Sequence, residues 1–311
     1  MDYELIVIGA GPAGCAAALY GAREGLTTLL LEPAAPGGQM SVTAWVENYP
    51  GIPGASGPDL ANAMLAGAQT AGAAFLQAQV TGMHLTETPK TVETTAGVYT
   101  TGAVVLAMGA APRKLALPEA ERFLGRGLSY CATCDGMFFR GKNVAVLGGG
   151  NGAAASARSL ARLCSQVHVI FRREKMSAEA REQEALAACS NVILHPGTLL
   201  TGLSGREKLE ALTLENRATG RRQELPCQGL FAAIGRIPET ALLQGQVKLD
   251  SEGYILAGES TQTSLPGVYA AGDIRTKPLR QIVTAASDGA TAAHLAARYL
   301  GSAPSPEAQG R

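Results

Sequence analysis

"YELIVIGAGPAGCAAALYGAREGLTTLLLE", residues 3–32, decides the fold. An apolar run, Leu5 to Ile8, enters a glycine-rich turn. Ala-rich helix formers follow, and Thr27 to Leu31 make a second apolar strand. Strand, turn, helix and strand are a βαβ unit, which implies a parallel sheet. Gly9, Gly11 and Gly14 spell G-x-G-x-x-G in the turn. The first makes the turn, the second lets backbone approach a pyrophosphate, and the third lets helix and strand pack closely. The helix N-terminus that follows supplies unpaired N–H groups and a positive dipole end. Glu32 ends the second strand, where a carboxylate can accept hydrogen bonds from ribose hydroxyls. The expectation is a dinucleotide site.

The same grammar returns roughly 140 residues later in "NVAVLGGGNGAAASARSLARLCSQVHVIFRR", residues 143–173. Gly148, Gly150 and Ala153 give G-x-G-x-x-A, with Asn151 at the start of the helix. Where the first unit has Glu32, this one has Phe171, Arg172 and Arg173. Guanidinium groups attract a 2′-phosphate that a carboxylate would repel, so this module is expected to take NADPH. "GMFFRGKN", residues 136–143, nearly matches a P-loop, but it ends in Asn143 and a strand follows where a helix is required.

Working outward, "KTVETTAGVYTTGAVVLAMGA" alternates β-branched and polar residues, as in a meander ending in a buried strand. "TSLPGVYAAGD" repeats a strand running into a Gly-Asp turn, and Ile282 to Leu300 is Ala-rich and helical in pattern. The polar "GSAPSPEAQGR" beyond it reads as a frayed tail. Proline-marked crossings near Pro112 to Pro118 and Arg236 to Pro238 are candidate linkers.

The 311 residues suffice for two domains. Lys plus Arg is 26 and Asp plus Glu is 26, so no global basic field points to nucleic acid or an anionic membrane. No apolar stretch approaches the roughly 20 residues that span a bilayer. "MDYELIVIGAG" has no cationic leader, so a cytoplasmic protein is expected.

Of six cysteines, only Cys131 and Cys134, in "YCATCDG", form a close pair. Zinc would need two more ligands, whereas His84, His168, His195 and His294 are isolated in sequence, so no metal site is expected. A static disulfide around two residues would remove little chain entropy, and cytosol would reduce it. Redox cycling between dithiol and disulfide is left, with Asp135 placed to move a proton if burial raises its pKa. Hydride transfer from nicotinamide straight to a dithiol is awkward, and a flavin can bridge it. The acid-partnered site is therefore expected to hold FAD, although its glycine turn alone does not distinguish FAD from NAD.

"GAGPAG", "GGQM", "CATCDG", "GGGNGA", "FRR", "AAIGRIP" and "GVYAAGD", in this order, resemble the low-molecular-weight thioredoxin reductases of prokaryotic type, from about Tyr3 to Leu300. The resemblance implies an α/β protein with two Rossmann-like dinucleotide-binding domains, the second inserted into the first. The expected boundaries are residues 1–113 and 244–311 for FAD and 114–243 for NADPH and the dithiol. It implies FAD contacts at Gly9, Gly11, Gly14, Glu32, Gln39, Asn48, Gly272, Asp273, Arg280 and Gln281, with Gly38 and Gln39 near the flavin ring. Pro12, Ala13 and Gly109 complete that set. Gly148, Gly150, Asn151, Ala153, Arg172 and Arg173 form the NADPH set. Cys134 would exchange electrons with the flavin, Cys131 would attack the disulfide of a thioredoxin-like protein, and Asp135 would be acid and base. A homodimer is a further expectation of the family. Since both nicotinamide and dithiol ride on the inserted domain, that domain is expected to rotate between two poses.

The sequence departs from the family's basic motif at Phe171, where a His is usual, and at Ser177, where a third Arg is usual, with Lys175 or Arg181 as candidates to compensate. NADH or reduced ferredoxin are therefore alternative donors, and a related dithiol oxidase is an alternative activity.

Overall fold

A computed structural model describes residues 1–43 and 45–302. The chain divides into two compact units, Met1–Ala111 with the segment from Ile237 onward, and Pro112–Arg236. The expected breaks, after residues 113 and 243, lie two and seven residues further along the chain. Leu243 is fully buried in the apolar core of the first unit, which claims the residues leading to it. At the other crossing Arg113 N–H donates to the Gly235 carbonyl inside the second unit, at 2.9 Å.

In chain order the first unit opens with β1 (Tyr3–Ile8), α1 (Pro12–Arg23), β2 (Thr28–Glu32), α2 (Gly57–Thr70) and β3 (Ala74–Gln77). The meander follows as β4 (Val80–His84), β5 (Lys90–Thr94) and β6 (Gly97–Leu106). The crossing strand β7 (Ala110–Pro112) leads to the second unit. That unit holds α3 (Ala120–Phe123), β8 (Leu128–Ser129), α4 (Ala132–Asp135), β9 (Asn143–Leu147), α5 (Asn151–Ala161), β10 (Gln166–Ile170), α6 (Ala180–Ala187) and β11 (Val192–His195). It continues through β12 (Thr198–Ser204), β13 (Ala211–Asn216), β14 (Arg222–Pro226) and β15 (Gly229–Ala232). The chain returns by β16 (Arg236–Pro238), then β17 (Val268–Ala270) and α7 (Ile282–Ser302). The helix therefore takes in Gly301 and Ser302 of the expected tail, and residues 303–311 lie outside the described ones.

The first unit's sheet runs β3-β2-β1-β6-β5-β4, with β17 also on β6. β3, β2, β1, β6 and β17 are parallel, and β4 and β5 close the far side antiparallel. Because β1 lies between β2 and β6, the order reverses there, and the crevice beyond its carboxyl end is where such sheets bind ligands. One face is covered by α1 and α7, which carry Ala and Gly where they meet. A Cβ at Gly289 of α7 would fall 2.0 Å from the Ala13 carbonyl of α1, so the close approach requires glycine. The other face buries Ile6, Ile8, Leu29, Leu31, Val104 and Leu106.

The second unit has a five-stranded parallel sheet, β11-β10-β9-β15-β8, and a separate antiparallel sheet, β12-β13-β14. Val144, Val146, Val167 and Val169 point to one face, where Ala153, Ala154 and Ala157 of α5 cover them. Alternate burial on both faces of β9 and β10 explains their unbroken apolar runs. Both sheets are Rossmann-like, and the second unit is inserted in the first by chain order. Among the described residues no helix is long and apolar enough to cross a membrane.

Candidate functional site

The first glycine turn stands at the end of β1. Gly9 has φ +100°, and a Cβ there would meet the Ala107 carbonyl oxygen at 2.5 Å. A Cβ on Gly14 would fall 1.7 Å from the Gly9 carbonyl oxygen. Gly11 differs, with open space where its Cβ would be. It also heads α1 with no side-chain cap, ahead of Pro12 and Ala13. Bare N–H groups beside an open Cβ position suit a pyrophosphate. Glu32 sits at the end of β2, with Oε2 accepting from Ala10 N–H at 2.8 Å and Oε1 from Ala34 N–H at 3.2 Å. It braces the turn.

Gly38 folds back over this turn: its Cβ position lies 3.6 Å from the Gly11 Cα. Gly37, the first residue of "GGQM", anchors that return by donating to the Ala10 carbonyl at 2.8 Å. Gln39 is exposed beside it. Asn48 Nδ2 donates to Gln281 Oε1 at 3.0 Å, which joins two expected contacts 233 residues apart. Gly109 has open space at its Cβ position. Gly272 packs against Ala13, and Asp273 follows it in a short 3₁₀ turn. Arg280 stacks on the Tyr254 ring at 4.3 Å, and its buried Nε has no hydrogen-bond partner among the described residues. An open glycine and an orphaned buried donor in one unit fit an extended anionic cofactor.

Three further residues hold this site, and no motif announced them. Asp288 of α7 is buried and accepts from Gly272 N–H at 2.9 Å. It also accepts from Arg275 Nε and Nη2, at 2.9 and 2.7 Å, and from Lys277 Nζ at 2.7 Å. Burial pushes its carboxyl up, but Arg275, Lys277 and the Gly272 N–H together outweigh that and hold it below the usual carboxylate range. One carboxylate thus carries two buried cations and pins the Gly-Asp turn to α7.

In the second unit, Cys131 and Cys134 are bonded as a disulfide, with Cα atoms 5.3 Å apart. Cys131 caps α4, and Cys134 N–H points at its sulfur at 3.1 Å. Ser129, buried at the end of β8, donates its hydroxyl to Asp135 Oδ2 at 2.6 Å and accepts from Cys131 N–H at 3.0 Å. Ser129 therefore ties the disulfide's backbone to the acid behind it, a link that sequence reading missed. Burial raises the Asp135 pKa, and the Ser129 bond offsets part of that. The other four cysteines are free. Burial, with Glu32 nearby, pushes the Cys15 thiol up to about 12, so it packs as a small apolar group. Among the described residues no three His, Cys, Asp or Glu side chains gather as metal ligands.

The second glycine turn follows β9. A Cβ on Gly148 would meet the Ala233 carbonyl oxygen at 2.3 Å, whereas the Cβ position at Gly150 has only Ser177 Oγ within reach, at 3.9 Å. Ala153 is fully buried beneath the turn. Asn151 is occupied by Glu179: its Nδ2 donates to Glu179 Oε1 at 3.0 Å, and its Oδ1 accepts from Glu179 N–H at 2.7 Å. The two motif departures are both accounted for. Phe171 is buried against Gly149, and Ser177 donates from Oγ and N–H to the Gly149 carbonyl, at 3.2 and 2.8 Å. Arg172 and Arg173 are exposed at the end of β10.

The Pyridine nucleotide-disulphide oxidoreductase family profile matches residues 3–289. The thioredoxin reductase of Treponema pallidum is 41% identical over 300 residues, 96% of this chain and 97% of the relative. The crystal structure of thioredoxin reductase from Streptococcus pyogenes matches at TM-score 0.90 and 36% identity, over 97% of this chain and 99% of that one. The Lactococcus lactis thioredoxin reductase in its FR conformation matches at TM-score 0.67 and 35% identity, over 97% and 100%. At such identity over almost the whole of both chains, this protein belongs to the pyridine nucleotide-disulphide oxidoreductase family and, within it, to the thioredoxin reductases.

Proposed function

We propose that the chain is a thioredoxin-disulfide reductase that takes electrons from NADPH through FAD to Cys131 and Cys134. The observation that carries this reading is the disulfide set against a half-buried acid whose pKa is raised. FAD, when bound, supplies the passage from a two-electron hydride donor to a sulfur couple. Gly11 and the start of α1 would hold its pyrophosphate, and Asp273, Arg280 and the Asn48–Gln281 pair its remaining polar groups.

From the reduced pair, the Cys131 thiolate attacks one sulfur of the partner's disulfide. A mixed disulfide forms, and the partner's other sulfur leaves as a thiolate that takes a proton. Cys134 then attacks the Cys131 sulfur, which closes the pair and releases the partner's second thiolate. Two electrons pass from the chain to the partner. Asp135, protonated more readily than an ordinary carboxyl, supplies the first proton. Ser129 keeps that acid beside the pair.

The inserted unit carries both the dithiol and the nicotinamide site, so it rotates between two poses about its crossings. A solved relative described by its conformation fits a family with more than one pose. Cross-linking the units in one pose should leave one half-reaction intact and stop turnover. Full turnover in the locked protein refutes the rotation. The chain is further read as a cytoplasmic homodimer acting on thioredoxin or a thioredoxin-like protein, which sedimentation tests for assembly.

A second reading keeps the flavin and dithiol but takes NADH or reduced ferredoxin as donor. It is favoured by Phe171 and Ser177, uncharged residues that contact Gly149 where the family has basic ones. Anaerobic bleaching of the flavin with NADPH, NADH and reduced ferredoxin in turn, followed by oxidised thioredoxin, decides between them. Bleaching by NADPH and recovery with thioredoxin is the expected result. Recovery of colour only with oxygen would point to a dithiol oxidase.

A further inference from the structure

The second unit lacks an arginine at position 177, and its fold brings another one to the end of β10. β10 runs into Phe171, Arg172 and Arg173. The Arg173 carbonyl accepts from Gly197 N–H at 3.0 Å, in the turn between β11 and β12. The Gly197 carbonyl accepts from Arg217 N–H at 2.8 Å, in the turn between β13 and β14. Arg217 Nη1 then donates to the Arg172 carbonyl at 2.9 Å. Three chain segments are laced together, and the guanidinium of Arg217 is held against the Arg172 backbone.

We propose that Arg217 is the third cation selecting a 2′-phosphorylated dinucleotide in this protein, standing in for the arginine absent at Ser177. The inference rests on the NADPH reading above. Its fixed point is a neutral carbonyl, so that contact leaves the charge of Arg217 unspent, and the residue is exposed. Arg222 of the same hairpin does not compete, because Glu215 pairs with it at 2.7 Å. Glu174 also belongs to the knot, with its carboxylate over Gly197. Two exposed guanidiniums on one strand end and a third from a separate hairpin surround a dianion from two sides, where a single strand end offers one.

The test is calorimetric titration of the flavin-loaded protein with adenosine 2′,5′-bisphosphate and with 5′-AMP, which share everything but the 2′-phosphate. Arg217→Ala should weaken the bisphosphate about tenfold and leave 5′-AMP within about twofold. Arg217→Gln keeps a donor for the Arg172 carbonyl without the charge, and it should behave like the alanine variant, whereas Arg217→Lys should retain most of the preference. If Arg217→Gln binds the bisphosphate as wild type does, the residue is only a brace and the proposal falls. If Arg217→Ala and Arg217→Gln both match wild type while Arg173→Ala loses the bisphosphate, Arg217 is excluded and the NADPH reading survives. If wild-type protein binds the two ligands equally, the NADPH reading itself fails and takes this inference with it.

Discussion

The two glycine turns of this molecule share a grammar and differ in how each is held. Both need glycine first, at Gly9 and Gly148, because neighbouring backbone carbonyls leave no room for a Cβ. Both leave their middle glycine open to a ligand. The third positions diverge: Gly14 sits on the Gly9 carbonyl, whereas Ala153 has room for its methyl. The supports diverge further. The first turn packs against a Gly-Asp turn pinned by Asp288, from the far end of the chain, with Arg275 and Lys277 buried on the same carboxylate. The second is held by a loop only about 28 residues on, through Ser177 and the Asn151–Glu179 pair. The lesson is that one motif can be stabilised by buried charge from a distance or by exposed local hydrogen bonds. The energetic stakes differ accordingly.

The largest expected effect breaks or confirms that contrast directly. Asp288→Ala leaves two buried cations without their carboxylate, and losing one partner of such a network costs about 3–5 kcal/mol. Ser177→Ala removes a hydrogen bond at an exposed position and should cost no more than about 1 kcal/mol. Denaturant midpoints and flavin content measure both, and comparable losses would erase the distinction. Acid should echo the first effect. The Asp288 pKa is lowered in the folded protein, so its contribution is full above the unfolded carboxylate range and is lost as pH falls through the folded value.

A smaller contrast lies at the third positions. Gly14→Ala forces a methyl onto a backbone carbonyl and should cost about 3 kcal/mol, with loss of flavin on gel filtration. Ala153→Gly opens a fully buried site in a helix and should cost about 1 kcal/mol without changing flavin content. A flavin-replete Gly14→Ala protein of wild-type stability would show that the close approach is not required.

The smallest effect sharpens the local side of the comparison. The Ser129 hydroxyl favours the ionised form of Asp135, so Ser129→Ala should raise that pKa further. If Asp135 gives the proton, the rate of disulfide reduction falls as pH rises through its pKa. The alkaline limb should then move to higher pH in Ser129→Ala and vanish in Asp135→Asn. Single-turnover reduction of thioredoxin by prereduced protein at a series of pH values measures it. A limb unmoved in both variants would take the proton away from Asp135.

The backbone of the glycine turns and of the dithiol, written in short spans, is legible in the sequence itself. Gly9 to Gly14, Gly148 to Ala153 and Cys131 to Asp135 each need only a turn and a helix start, and those are set by neighbours in the chain. The α/β class followed from the βαβ units those spans open, and the insertion from the family resemblance that the motifs carry. The boundaries shifted because Leu243 answers to the first unit's core rather than to its own surroundings in sequence.

What tertiary structure alone decided is the set of partners. Asn48 meets Gln281 across 233 residues, Asp288 reaches back to Gly272 and Lys277, and Arg217 comes to Arg172 from another sheet. None of these has a period or a spacing to read. They depend on which strands lie side by side, and on hydrogen bonds between groups far apart in the chain. Local sequence carries backbone conformation, because steric limits act within a few residues. Partner choice is carried by burial and sheet order, which act over the whole chain at once.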